Sequence, residues 1–249
     1  MPSVSERRPG GCVSLAYDGP DPSHLEVAVP CLQSHGLAAT FYLEPVRLLQ
    51  RARDWQAAAN EGHEMGSHCL LGYTDGRGNL SNWTLETVES ELRESRKLLA
   101  DLFGAQSDFS FAYPGDQSGC LTVAFDPQPT SYRHAVTRVF GIARSALQGM
   151  NDPDSCDFGY LQIVDCERMD AEALIESASA AFERSLWSIL VFRGVGVGSG
   201  GVDARAHEKL CSWLAEDREG RRTDTVLREA YRVRSLREAP EHGVFLTEG

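Results

Sequence analysis

Strand-like and helix-like segments alternate along this chain, and the alternation predicts an α/β fold with a mainly parallel sheet. Two further observations narrow it. At 249 residues the chain has the length of one barrel-sized domain with a substantial core. The first apolar run also ends in a carboxylate, Asp18, followed at once by Gly19 and Pro20. Barrels and open α/β sheets present their catalytic groups at such strand ends.

Each element has its own signal. Cys12–Tyr17 is an apolar run of strand length, and Pro22–His35 carries Leu25, Ala28, Val29 and Leu32 on one helical face. Ala38–Leu43 reads as the second strand, and the Arg- and Ala-rich Pro45–Asn60 as a helix ending before "NEGHEMG". Thr84–Phe103 is the clearest helix, with Thr84 as its cap, Glu86 and Glu89 early, and Gly104 beyond its end. Phe109–Tyr113, Arg138–Ala143, Leu161–Val164 and Trp187–Phe192 read as further strands. Asp170–Arg184 and Ala204–Asp217 complete the helices. Gly115–Tyr132 and the glycine run Gly194–Gly201 are loops after strand ends; the latter lacks the Lys-Ser/Thr of a phosphate-binding loop. The expected organisation is a tail over 1–11, one domain over 12–232 and a tail over 233–249.

Composition excludes some functions. A formal charge of −12 opposes nucleic-acid binding, which needs a basic field. No stretch approaches the roughly 20 apolar residues of a membrane span. The segment MPSVSERRPGG has two arginines and no apolar run after them, so no secretory signal is expected. The seven cysteines (12, 31, 69, 120, 156, 166 and 211) are scattered without CxxC spacing, a pattern of reduced, mostly core thiols. The expected compartment is cytoplasmic.

Four strand ends carry the candidate chemistry: "SLAYDGPD", "GHEMGSHCLLG", "FSFAYPGD" and "WSILVFRGVG". In this order they resemble the four motifs of the polysaccharide deacetylases, the NodB-homology domains of carbohydrate esterase family four. The resemblance spans about Cys12 to Tyr231. It implies a distorted (β/α) barrel of about seven strands in a single domain, and hydrolysis of acetyl groups with one divalent metal. The departures fall on the chemistry. The resemblance implies that Asp18 takes the base position and Gly19 a metal-ligand position; a gapped alignment would make Asp18 the ligand instead. His68 matches the first metal histidine, the second falls on Gly72, the final-motif acid histidine on Arg193, and the third motif's arginine on Ala112. Asp165 and Glu167 resemble the acidic motif that orients the acid histidine.

One of three expected ligands therefore survives, and a catalytic divalent cation needs about three. No metal is expected; the alternative is one zinc, cobalt or nickel ion on an improvised set of Asp18, His68 and His24, with Asp21, His63, Glu64, Cys69 and Asp75 also near in sequence. Arginine cannot shuttle a proton near neutral pH, but its planar fork binds a carboxylate or an oxyanion. The expected site is thus Asp18 as base, His68 in the pocket, and Arg193 holding an anionic group or oxyanion, or else paired with Asp18. Tyr113 is a candidate oxyanion donor, Asp165 a partner of Arg193, Trp83 a pocket wall or helix cap, and Asp116 and Gln117 rim residues without an assigned role. The expected function is deacetylase-like hydrolysis of an amide C–N bond in a small molecule, a carboxylate-bearing one being a candidate. The alternatives are a repurposed lyase, isomerase or cyclase of specialised metabolism, or a barrel that binds without catalysing.

Overall fold

A computed structural model describes residues 11–69, 84–104, 109–114, 120–121, 130–196 and 201–216. Its strands are β1 (Cys12–Asp18), β2 (Thr40–Leu43), β3 (Glu64–Ser67), β4 (Phe111–Ala112), β5 (Cys120–Leu121), β6 (Thr130–Ser131), β7 (Ala143–Gln148), β8 (Leu161–Asp165) and β9 (Trp187–Phe192). The helices are α1 (Val29–Ser34), entered through one wide turn at His24–Ala28, α2 (Pro45–Leu48), α3 (Ala52–Asn60), α4 (Leu85–Phe103), α5 (Arg133–Phe140), α6 (Ala171–Glu183) and α7 (Ala204–Ala215). Seven parallel strands close a barrel in the order β1-β2-β3-β4-β7-β8-β9, with β5 and β6 forming a separate antiparallel pair. The closing seam is regular, from Cys12 opposite Trp187 to Tyr17 opposite Phe192. The expected domain limits at residues 11 and 232 adjoin or lie in segments outside the described residues. Among the described residues no helix is long and apolar enough to cross a membrane.

Strand alternation divides the side chains between two layers. Val13, Leu15, Tyr17, Phe41, Leu43 and Met65 face outward and pack with apolar residues of the helices. Cys12, Ala16, Tyr42, Ala112, Ile163, Trp187 and Val191 fill the barrel. The interior also holds polar groups that satisfy one another. Trp187 Nε1 donates to Ser14 Oγ at 3.0 Å. Thr40 and Ser110 donate to the two carboxylate oxygens of buried Glu64 at 2.8 and 2.6 Å. Glu64 is thereby a structural member of the interior. At Gly66 a Cβ would meet the Tyr42 ring at 2.7 Å, so only glycine lets that ring lie across the strand.

The capping signals are realised: Thr84 accepts from the Thr87 amide at 3.2 Å and Asp170 from the Ala173 amide at 2.9 Å. Some expectations differ: Pro45–Asn60 divides into α2 and α3, and the expected loop Gly115–Tyr132 includes the β5–β6 pair. The run 138–143 divides, with its first residues ending α5 and only Ala143 entering a strand. Ala135, Val136 and Phe140 bury a helical face, and Gly141 at φ 74° ends it, so the strand starts later and extends to Gln148. β3 carries no strand signal of its own; its residues Glu-Met-Gly-Ser lack β-branched side chains and pair because both neighbours are in place.

Candidate functional site

The inward phase that puts Ser14 and Ala16 inside the barrel brings Asp18 to the C-terminal mouth. The same phase gives Glu44 after β2, His68 after β3, Arg144 in β7, Asp165 at the end of β8 and Arg193 after β9. A cavity of about 560 Å³ opens there, lined by Asp18, Gly19, Asp21, Glu44, Arg47, His68 and Arg193 among others. That volume suits a small molecule.

Asp18 is held by a residue that carried no sequence signal. Arg144 is buried, donates to Asp18 Oδ1, and lays its guanidinium 4.8 Å from the Tyr42 ring centre. The two are 126 positions apart in the chain. Arg144 pairs in register with Ala112, the position matched to the third motif's arginine, so the neighbouring strand delivers a guanidinium beside that position. The β7–β8 register slips directly after Arg144, between Arg144 and Gln148. Such bulges bend a strand and redirect its side chains near barrel rims. Burial alone would raise the Asp18 carboxyl, but Arg144 and His68 outweigh it and hold the group below its ordinary value.

His68 donates from Nδ1 to the Ala112 carbonyl at 3.1 Å, since a carbonyl only accepts. That bond fixes the tautomer, and Nε2 keeps its lone pair. Burial lowers its pKa, with Asp18 opposing, so the ring is neutral near pH 7. Beyond β1, Gly19 adopts φ 77° and donates its amide to the Tyr42 carbonyl at 2.9 Å. This left-handed turn suits glycine and strains most other residues.

Arg193 is clasped by two carboxylates, Asp165 at 2.8 Å and Glu167 at 2.7 Å, with its side chain 46% exposed. Burial would weaken its charge, and Asp165, Asp18 and Glu167 more than offset that. The expected pairing of Arg193 with Asp18 is thereby corrected: its partners are Asp165 and Glu167, because Arg144 already holds Asp18. Among the described residues around the mouth, Asp18, Asp21, Glu44, Asp165 and Glu167 outnumber Arg47, Arg144 and Arg193, so their combined field is acidic.

Three other candidates are committed to other contacts. Tyr113 points outward, is buried among Phe111, Tyr132 and Tyr160, and donates to the Gly159 carbonyl at 3.2 Å. It is thus not an oxyanion donor: Ala112 holds the inward phase of β4 and Tyr113 the opposite one. His24 is buried below the turn, with Nδ1 donating to the Gly19 carbonyl at 3.0 Å and its ring against Tyr17. It therefore does not join Asp18 and His68 as a ligand. Asp21 caps its own turn, accepting from the Ser23 amide at 2.9 Å. Trp83, Asp116, Gln117, Gly72 and Asp75 lie outside the described residues.

The divalent metal that the resemblance implies needs about three protein ligands. Among the described residues, three ligand atoms within 4.8 Å of one another occur in one place, away from this cavity. At the cavity, one oxygen of Asp18 is taken by a guanidinium and the Glu44 carboxylate pairs with Arg47 at 3.0 Å. The described residues that line this cavity do not fit such an ion.

Residues 5–127 match the family model described as polysaccharide deacetylase. No curated protein matches the chain in sequence. The fold is similar to three solved structures among others. The peptidoglycan deacetylase PdaC from Bacillus subtilis is 14% identical, with 92% of this chain and 94% of that one covered and a TM-score of 0.58. A family 4 acetyl xylan esterase from Clostridium thermocellum, solved with a cobalt ion, is 16% identical over 89% and 91%, with a TM-score of 0.57. A mutant of a CE4-family pseudoenzyme is 14% identical over 90% and 68%, with a TM-score of 0.59.

Proposed function

Because this chain belongs to the polysaccharide deacetylase family, we propose that it hydrolyses the amide C–N bond of a small, uncharged acylated amine, without a divalent ion in the barrel mouth. The observation that carries this reading is the Asp18–Arg144 pair: a carboxylate kept ionised by a buried guanidinium, at the floor of a cavity it shares with neutral His68. Asp18 Oδ1 is committed to Arg144, and its second oxygen takes a proton from water while His68 Nε2 accepts a hydrogen bond from that water. The water oxygen bonds to the amide carbon, the C–N bond breaks, and the proton held by Asp18 passes to the departing nitrogen. A carboxylic acid and an amine result, and the acid's proton passes to the amine to give a carboxylate and an ammonium. Remaining N–H groups of Arg193, held in place by Asp165 and Glu167, donate to the oxygen that gains charge. The acidic field around the mouth favours a neutral substrate and a cationic product over a carboxylate-bearing one.

A second reading, binding without catalysis, is favoured by the same ion pair, since a carboxylate tied to a guanidinium is a weaker base. Carboxylate release from a panel of N-acetylated amino sugars and simple N-acetyl amines separates the two. The expected result is release that does not respond to added zinc or cobalt and falls about a hundredfold or more in Asp18→Asn. A tenfold rise on adding either ion overturns the metal-free mechanism. No release from any compound, with a thermal shift on adding one of them, establishes the binding reading.

A further inference from the structure

Behind the barrel mouth, on the outward side of β1, lies a cluster that the proposed hydrolysis does not use. Cys31 on α1 and His207 and Cys211 on α7 bring two sulfurs and an imidazole nitrogen within 4.8 Å of one another. His207 and Cys211 are four positions apart, one above the other on a single face of α7. Both are buried, and Cys31 is half-buried. From these residues we propose a Cys₂His site for a soft divalent cation of the zinc class.

The chemistry of the donors supports the choice. Two thiolates and an imidazole select zinc over magnesium or calcium, which take oxygen ligands. The Cys211 Sγ to His207 Nδ1 distance is 3.8 Å. A tetrahedral ion with bonds of about 2.3 Å to sulfur and 2.0 Å to nitrogen needs an edge of roughly 3.6 Å, so a small rotation of either side chain suffices. The imidazole already has the outer partner of a metal-bound histidine. Tyr17 Oη lies 2.6 Å from Nε2, so an Nε2–H donated to the phenol leaves Nδ1 as the ligating atom. Phe192 packs edge-on against the ring at 5.4 Å and fixes its plane. The half-buried Cys31 side leaves room for solvent as a fourth ligand.

The site would act as a clip. It joins the helix that follows the first strand to the helix that follows the last one, and so closes nearly the whole described chain into a loop. Cross-links that close long loops remove the most freedom from the unfolded chain. The clip also anchors Tyr17, whose neighbour in sequence is Asp18, from the opposite face of the same strand.

The test uses untagged full-length protein purified under reducing conditions without chelator, then incubated with zinc and, separately, with cobalt. The expected result is one equivalent of zinc per chain, a rise in Tm on loading, and a near-ultraviolet thiolate-to-cobalt charge-transfer band. Cys31→Ser, at the half-exposed sulfur, should lose the equivalent and the band while keeping the fold; His68→Ala should keep both. Binding retained in Cys31→Ser, or no uptake by the reduced wild type, overturns the proposal. So does a bound equivalent that His68→Ala abolishes, because the ion would then sit in the barrel mouth.

Discussion

Removing the guanidinium from Asp18 should be among the most damaging single changes at the barrel mouth. The Arg144 side chain is 2% exposed and that of Asp18 14%, so solvent can compensate neither group. Breaking a buried pair by deleting one partner costs about 3–5 kcal/mol, because the surviving charge is left desolvated. Arg144→Met should therefore lower Tm by roughly 10 °C, at about 2–4 °C per kcal/mol for a chain of this size. The pH dependence should change sign as well. In the wild type the folded Asp18 carboxyl lies below its ordinary 3.8. Its contribution is complete above the unfolded value and is lost as pH falls through the folded one. Without Arg144, burial becomes the dominant influence and the carboxyl rises above 3.8. The variant should then gain stability as pH falls from neutral through that raised value. Urea denaturation from pH 4 to 8 reads both effects, and Asp18→Asn combined with Arg144→Met should recover about 1–3 kcal/mol relative to the sum of the single losses. An Arg144→Met variant that loses under about 1 kcal/mol and keeps the wild-type slope would refute this account of the site.

Three further outcomes follow from the geometry. Burial lowers the pKa of His63 from 6.5 to about 4, and its Nδ1 accepts from the Ala39 amide at 3.2 Å. Unfolding should thus take up one proton between these values, costing at most about 3 kcal/mol on acidification, and His63→Asn should flatten that part of a denaturation series. Gly66→Ala should cost about 1–3 kcal/mol in urea denaturation, because its Cβ would strike the Tyr42 ring that lies beside Arg144; an unchanged midpoint would show that the ring moves freely. Asp170→Ala should cost about 1 kcal/mol by the same assay through loss of the α6 cap, with no change in any activity, since Asp170 does not line the cavity.

Much of the architecture was legible in the chain alone. Apolar runs of strand length and a capped amphipathic helix at Thr84 pointed to a parallel α/β fold, and the order of four strand-end motifs, by resemblance, to a barrel. Asp18 was legible as the carboxylate that ends the first apolar run, and His68 through the resemblance of its motif. Arg144 was not. The helical run before it hid where β7 begins, and its partner stands 126 residues away. That Arg193 is already neutralised, that Tyr113 faces the outer layer, and that Cys31 meets His207 and Cys211 across the closing seam were equally beyond the sequence. Local pattern fixes which face a side chain takes. Which charge meets which depends on barrel closure, strand register and one bulge, and those are set by the packing of distant segments.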